Sequence, residues 1–413
     1  MQSTNALLPG SGFDPEKLIA PRQAIVAFLS RVVVKPTGVE RVDVQHAVRR
    51  VLACDIDADD DYPSVRRSAM DGFAVVAAAT PGRFRIAAGV RMGAAAAKSI
   101  DAGAAARIPT GGALPGGADA VVPIEEATVT NASVEIRARV DAGANVIEPG
   151  DDMRRGERIL NSGRRIGAPQ IGVLAALGVA EVPVYRRPIV AVLSSGDELV
   201  DVSQRPRPGE VRDSNRYAVA ASLRAMGATA RHYPTLRDES DEFACGLKAA
   251  LEECDAVVVT GGTSVGERDR LPAVVAALGE PGVVVHGMRL RPGKPTLLGA
   301  IGNKPIVGLP GNPTSALMVL EAVVSPIFGA LTGAPLDAST MQARLTEPAR
   351  SRPGWTWYVP VALKDEAGSP AAHPLALHSF SVSLIARAGG YLVMNEQDEC
   401  WPAGSAVTVH RFF

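Results

Sequence analysis

From residue 188 onward, apolar positions form short unbroken runs separated by stretches where they recur every three or four residues. The runs at 189–193 and 256–259 are continuous, as expected of strands covered on both faces of a sheet. Residues 228–236, 283–285 and 305–307 supply further strands. Helices are predicted from Asp213 or Ser214 to Met226, over 241–252 and 267–278, and from Pro313 to Phe328. Gly227 follows the first of them as a C-terminal stop. Strand and helix alternate too regularly for an α+β arrangement. The pattern predicts a three-layer α/β domain over 187–334.

The pattern upstream is different. Asp14-Pro15-Glu16 has the order of a helix cap, a first-turn proline and an acidic first turn. Ala24, Ile25, Phe28, Leu29 and Val32 then follow helical spacing, and Lys35-Pro36-Thr37-Gly38 ends that helix. A second helix is predicted over 43–53. Residues 62–145 are rich in Gly, Ala and Val and carry short alternating runs, clearest at 134–140. The alanines at 94–97 read as a surface turn or short helix. Helical patterning returns at 169–177. Residues 14–47 and 147–186 therefore group as one discontinuous mixed domain around a β-rich domain at 48–146. Strand-like segments at 355–359 and 406–409, around a helix near 383–388, make 335–413 a C-terminal β-rich domain.

Composition narrows the function. A formal charge of −1 gives no basic field for a nucleic-acid backbone, so any anionic ligand must be met by local groups. Cys54, Cys245, Cys254 and Cys400 lack zinc-ligand or disulfide-framework spacing and read as free thiols. The six histidines form no metal-binding pattern, and His286 reads as a strand-end residue. No signal-peptide or membrane-span pattern stands out, which makes the cytoplasm the expected compartment.

The chemistry is concentrated in loops that follow buried strands. Ser194-Ser195-Gly196-Asp197-Glu198, Arg237-Asp238-Glu239, the segment from Thr260 through Gly261, Gly262, Thr263, Ser264 and Gly266 to Asp269, and Leu309-Pro310-Gly311-Asn312-Pro313 would all leave the carboxyl ends of strands. The glycine loop suits a phosphate, because its amides and a following helix start carry partial positive charge. It lacks the Gly-Lys-Ser/Thr of a Walker loop. Each acid alone reads as a solvated loop residue. Together Glu198, Asp238 and Asp269 offer the hard oxygen ligands that Mg²⁺ takes. Arg289, Arg291 and Lys294 supply cations for an oxyanion, or form an exposed basic turn. Asp71 and the glycine-rich loop around Thr110 serve turn chemistry or a second site, and Asp152 lies in a charged run.

Taken in order, SAMDGFAV at Ser68, IPTGGALPGGADAVV at Ile108, SSGDELV at Ser194, TGGTSVGERD at Thr260, PGKP at Pro292 and GLPGNP at Gly308 resemble the molybdopterin molybdenumtransferase family, the MoeA proteins and the gephyrin E domain. The resemblance runs from about Leu18 to Val409. It implies a homodimer of four-domain subunits whose α/β domain is related to molybdopterin adenylyltransferases. It also implies Mg²⁺-dependent cleavage of adenylylated molybdopterin, with molybdate placed on the pterin dithiolene. Asp71, Thr110, Asp152, Glu198, Asp238 and Asp269 would then be catalytic, the first three coming from the second subunit, and Glu198, Asp238 and Asp269 would hold Mg²⁺. Ser194, Ser195, Gly196, Asp197, Gly261, Gly262, Thr263, Ser264, Gly266, Arg291, Lys294, Pro310, Asn312 and Pro313 would bind the pterin or the oxyanion. Other proteins of molybdenum cofactor biosynthesis are expected partners, and neither nucleic acid nor membrane is. The chain departs from the family's K-x-x-x-K-P-G-K-P pattern at Gly287 and Arg291. That departure bears on oxyanion affinity and on the choice between molybdate and tungstate. A noncatalytic pterin-binding or scaffolding paralogue is the alternative from another class, and an adenylyltransferase a third.

Overall fold

The computed structural model describes residues 13, 17–87, 89–93, 99–237, 240–263, 270–336, 339–366, 368–376 and 380–412. The chain forms two compact units. One comprises Met1–Ala53, Arg165–Gly167 and Glu181–Phe413, the other Cys54–Arg164 and Ala168–Ala180.

The α/β domain lies in the first unit. Its elements are β1 (Ile189–Ser194), α1 (Ser214–Ala225), β2 (Thr229–His232), α2 (Ser240–Glu253), β3 (Ala256–Thr260), α3 (Leu271–Leu278), β4 (Pro281–His286), β5 (Leu297–Ile301), β6 (Lys304–Leu309) and α4 (Pro313–Val319). The sheet order is β2-β1-β3-β6-β5-β4. The first four strands are parallel, whereas β5 runs antiparallel to both neighbours. Alternate residues of β1 and β3 enter opposite faces, as the pleat requires. Val190, Val192 and Val258 pack with Val219 and Leu223 of α1, while Ala191, Leu193, Val257 and Val259 pack with Phe243 and Leu247 of α2. Two covered faces account for the unbroken apolar runs, and the three layers match the expectation.

Local chemistry sets the helix limits. The Asp213 carboxylate accepts from the Arg216 N–H at 3.0 Å and caps α1, a bond worth about 1 kcal/mol. Gly227, at φ 98°, turns the chain out of that helix. Strand β5 was absent from the sequence reading; its signal is the two-residue Gly302-Asn303 turn, which pairs Ile301 with Lys304. The helix expected over 313–328 continues past α4 through a π turn, Leu320–Val324, into α5 (Ser325–Thr332). By composition the run Pro313–Thr332 could cross a bilayer, but most of it is buried in this core.

The helix at Pro21–Arg31 adds Ala24, Ile25 and Phe28 to the same core. The capping expectation at 14–16 falls outside the described residues, as does that for 94–97. The helix expected over 43–53 does not form. Val39–Asp43 is a strand antiparallel to Glu181–Tyr185, followed by a single 3-10 turn at Val44–His46. Arg49 then takes a left-handed conformation, φ 62°, which a right-handed helix excludes, and Val51 and Leu52 bridge to Arg165 and Val184. Pairing with a distant strand replaces helical hydrogen bonding here.

The C-terminal strands Thr340–Leu345, Thr356–Glu366, Ser369–Pro374, Gly390–Met394 and Ala406–His410 close into a barrel, because Thr356–Glu366 pairs with both Ser369–Pro374 and Gly390–Met394. Leu345, Val361, Leu392 and Val409 fill its interior. The second unit is built on a six-stranded sheet in the order Ala120–Pro123, Gly72–Val75, Ala104–Ile108, Gly82–Ala87, Ser133–Ile136, Ala127–Val129. Phe73, Phe84, Val122 and Ile136 cover one face, and Ala74, Ala106, Ile108 and Val121 the other.

Gly333 ends α5 at φ 88°, and a Cβ there would lie 2.2 Å from the Tyr185 ring. Gly333→Ala should therefore lower the unfolding free energy of this unit by about 2 kcal/mol, from left-handed strain plus overpacking. Urea denaturation monitored by circular dichroism checks this, and an unchanged midpoint would contradict it.

Candidate active site

Strand register brings the loops together. Ser194 lies opposite Thr260 and Thr260 opposite Leu309, so the chains leaving β1, β3 and β6 start side by side. The Ser195 N–H donates to the Thr260 carbonyl at 2.9 Å, and the Gly261 N–H to the Leu309 carbonyl at 3.0 Å. The segment after β2 joins them where the Leu236 N–H donates to the Ser194 carbonyl at 2.7 Å. This is the point where sheet order reverses, with β2 on one side of β1 and β3 on the other. Open α/β sheets offer their ligand crevice there.

The glycines have a steric reason. Gly261 takes φ 87°, and a Cβ on it would lie 2.5 Å from the Ser195 carbonyl oxygen. Gly262 follows at φ 65°. Two consecutive left-handed residues turn the β3 loop sharply over the β1 loop. At Gly196 a Cβ would meet the Glu198 carboxylate at 2.6 Å, so that side chain folds back against its own loop.

A cavity of about 650 Å³ opens over these turns. Of the expected residues, Ser195, Gly196, Glu198, Gly261, Gly262, Thr263, Pro310, Asn312 and Pro313 line it. Ser194 lies beneath, fully buried, with its Oγ accepting from the Thr260 hydroxyl at 3.2 Å. Asp197 is exposed and does not line the cavity. Asp238, Ser264, Gly266 and Asp269 lie outside the described residues. Among the described residues no cluster of three or more acidic, His or Cys side chains forms. Glu198 is thus the one expected Mg²⁺ ligand that the structure places on the wall, and its exposed carboxylate has the hard oxygens such an ion takes.

The basic turn is arranged differently from a direct oxyanion clamp. Pro295 reaches the wall, whereas the Arg291 guanidinium lies 4.7 Å over the Trp357 ring and the Lys294 ammonium 5.3 Å from the Phe13 ring. Partial burial lowers the Lys294 ammonium pKa from its ordinary value. Gly287 takes φ 86°, and a Cβ there would meet Phe13 and Leu18 at 2.7 Å. A side chain at position 287 is therefore sterically excluded as the chain is packed. His286 ends β4, with Nε2 2.9 Å from the Thr263 carbonyl.

Sequence reading missed one wall. Leu199–Val200 pairs in parallel with Val211–Arg212, and this short ribbon carries Glu198 at one end and Asp213, Ser214 and Asn215 at the other. In sequence, Asp213 and Ser214 carry only the signal of a helix cap. Phe380 and Val382 come from the C-terminal region, a contribution that the loop pattern did not indicate.

In the second unit Asp71 and Thr110 meet. The Thr110 N–H donates to Asp71 Oδ1 at 2.6 Å and its hydroxyl to the same oxygen at 3.0 Å. The backbone bond, then the hydroxyl, hold the Asp71 carboxyl below its ordinary value, helped by the Arg107 charge. Asp71 also lines a separate cavity of about 420 Å³ with Arg107 and Pro109. Asp152 does not line that cavity; its N–H donates to the Tyr62 carbonyl at 3.1 Å. Because the folded pKa is the lower one, Asp71 stabilises the fold above its unfolded value and loses that contribution as pH falls through the folded one. Carbon-13 NMR titration should give a midpoint below 3.8 for Asp71. Thr110→Val, which keeps the stronger backbone bond, should recover only part of the shift; an unshifted wild-type midpoint would refute the assignment.

Comparison with known proteins agrees with this architecture. Residues 19–178 match the MoeA N-terminal region (domain I and II), residues 191–330 a probable molybdopterin binding domain, and residues 342–412 the MoeA C-terminal region (domain IV). The chain is 33% identical over 383 residues to the molybdopterin molybdenumtransferase of Bacillus subtilis, covering 90% of this chain and 89% of that protein. It is 30% identical over 381 residues to a putative molybdopterin biosynthesis protein of Methanocaldococcus jannaschii, covering 90% of this chain and 92% of that one. The crystal structure of the molybdopterin biosynthesis MoeA protein from Pyrococcus horikosii superposes with a TM-score of 0.80 at 31% identity, over 96% of this chain and 100% of that one. With all three family regions present in order and the relatives matched over most of their length, the chain belongs to the MoeA family.

Proposed function

We propose that this protein is a molybdopterin molybdenumtransferase that binds adenylylated molybdopterin in the cavity of the α/β domain, cleaves its phosphoanhydride and transfers molybdate to the dithiolene. The observation that carries this reading is the wall itself. The Gly261-Gly262 turn lines the cavity beside Ser195 and Glu198, at the sheet's switch point, in a chain whose relatives are named for this transfer.

The residues act by position and charge. The Gly262 amide and the Ser195 and Thr263 hydroxyls would meet a phosphate, while Pro310 and Pro313 keep that side of the wall rigid. Glu198, joined by Asp238 and Asp269, would hold Mg²⁺. When bound, that ion would supply charge neutralisation at the anhydride phosphorus. Glu198 also orients a water or molybdate oxygen for attack. Arg291 and Lys294 would keep positive charge beside the turn that reaches Pro295, acting on the oxyanion at longer range than a direct contact. The receiving thiolates belong to the substrate. We further propose a homodimer in which Asp71, Thr110 and Asp152 of one copy complete the cavity of the other. The closed position at Gly287 favours a second reading, a noncatalytic pterin-binding paralogue, which the same assay excludes or establishes.

Purified protein should release AMP from adenylylated molybdopterin when Mg²⁺ and molybdate are both present. Glu198→Gln should cut that rate by about 100-fold or more, as expected for a group acting on transition-state charge. Substrate binding without AMP release by the wild type would establish the paralogue reading instead. Glu198→Gln and Asp71→Asn chains, each inactive alone, should recover about a quarter of wild-type activity when mixed as dimers, because each heterodimer keeps one intact shared site. No recovery would place both residues in the same copy's site.

A further inference from the structure

The geometry points to Phe380 as the side chain that grips a flat heteroaromatic ring of the substrate at the rim of the cavity, an inference that rests on the substrate reading above. Phe380 is 72% exposed, more than any other large apolar side chain among the described residues, and Val382 is 58% exposed. Both line the cavity, whereas Ser381 between them does not. Ser381 is extended, at φ −80° and ψ 109°, and an extended residue sends the side chains of its two neighbours to one side. The alternation turns the phenyl ring and the Val382 side chain toward the cavity. The segment is also anchored. The hydroxyl of Thr314, buried in the first turn of α4 next to Pro313, donates to the Ser381 carbonyl at 2.6 Å. Beyond Val382, Leu384 is buried and Ile385 packs against the core.

Single apolar side chains on a surface need no explanation, but two on one side of an anchored segment, over a cavity, do. An exposed phenyl ring forgoes the burial that favours it, and ligand cavities use such faces beside a few polar groups that fix orientation. The polar groups of this wall lie at the Gly261-Gly262 turn, Ser195 and Glu198. A ligand that meets both must carry an anion and a flat apolar face. Adenylylated molybdopterin carries a phosphoanhydride between two ring systems, adenine and pterin. Phenylalanine has no donor or acceptor, so it reads the face of a ring and not its edge, and such stacking tolerates either ring. Phe380 thus holds one ring while the turn holds the anion, which sets the direction in which the anhydride lies across the cavity.

The test uses the full chain and three probes, AMP, pterin and ribose 5-phosphate, titrated by calorimetry. Phe380→Ala should weaken AMP, pterin or both by about 5- to 50-fold, the range of a base stacked on an aromatic side chain, and leave ribose 5-phosphate unchanged. The ring that loses affinity is the one Phe380 holds. Phe380→Tyr should keep wild-type affinity within about twofold, whereas Phe380→Leu, apolar but without a flat face, should resemble the alanine variant. Melting temperatures should hold, because most of the side chain is in solvent. Unchanged AMP and pterin affinities in Phe380→Ala would overturn the assignment and leave the cavity reading standing. Weaker self-association with both affinities unchanged would overturn it too, and would put Phe380 against a second copy of the chain. An equal loss for ribose 5-phosphate would also overturn it, as a collapse of the wall. A wild type that binds neither AMP nor pterin would overturn both readings. Should the alanine variant not fold, the comparison of the tyrosine and leucine variants decides.

Discussion

The contact between the Gly261 backbone and the Ser195 carbonyl is the constraint on which the site depends. Any side chain at position 261 would press into that carbonyl at 2.5 Å, and at φ 87° it would be strained even in open space. Close approach of the two loops is what places Ser195, Glu198 and the Gly261-Gly262 turn on one wall. The approach in turn follows from parallel pairing of β1 with β3, which sets Ser194 beside Thr260. Packing on both faces fixes that register, since a one-residue slip would turn Val190 and Ala191 to the wrong layers.

The acids and cations around this wall follow different logics. Glu198 is exposed and available, as suits a group that meets a metal or a nucleophile. Asp213 is buried and committed to structure, capping α1 and facing the Arg216 guanidinium. Lys294 and Arg291 face aromatic rings, and the phenyl of Phe13 and side chain of Leu18 occupy the space that a side chain at Gly287 would need. The glycine at 287 is thus set by packing, and a side chain there would need Phe13 and Leu18 to move.

Much of the fold was legible because period and burial agree. The continuous runs in β1 and β3 identified doubly covered strands, and Asp213 with Gly227 marked the limits of α1. The failures share a cause. Residues 43–53 carry helix-compatible apolar spacing, but Val39–Asp43 pairs with a strand about 140 residues away, and long-range pairing outweighs a weak local propensity. Strand β5 was not expected, because its pairing with β6 depends on a turn of two residues, Gly302-Asn303, which is a short local signal. At the site, Ser194 looked like a ligand-binding residue and proved to be beneath the floor, since a motif does not say which of its members faces the cavity.

By itself the sequence determined the family, the alternation that makes an α/β domain, and the loops that hold the chemistry, because these depend on local pattern and on residue types no other position can replace. Tertiary structure alone decided which side chains share a wall. It brought the 199–215 ribbon and Phe380 to the cavity, set the Asp213 carboxylate against the Arg216 guanidinium, and closed the space over Gly287. Those outcomes depend on contacts between residues far apart in the chain, and such contacts leave no local pattern to read.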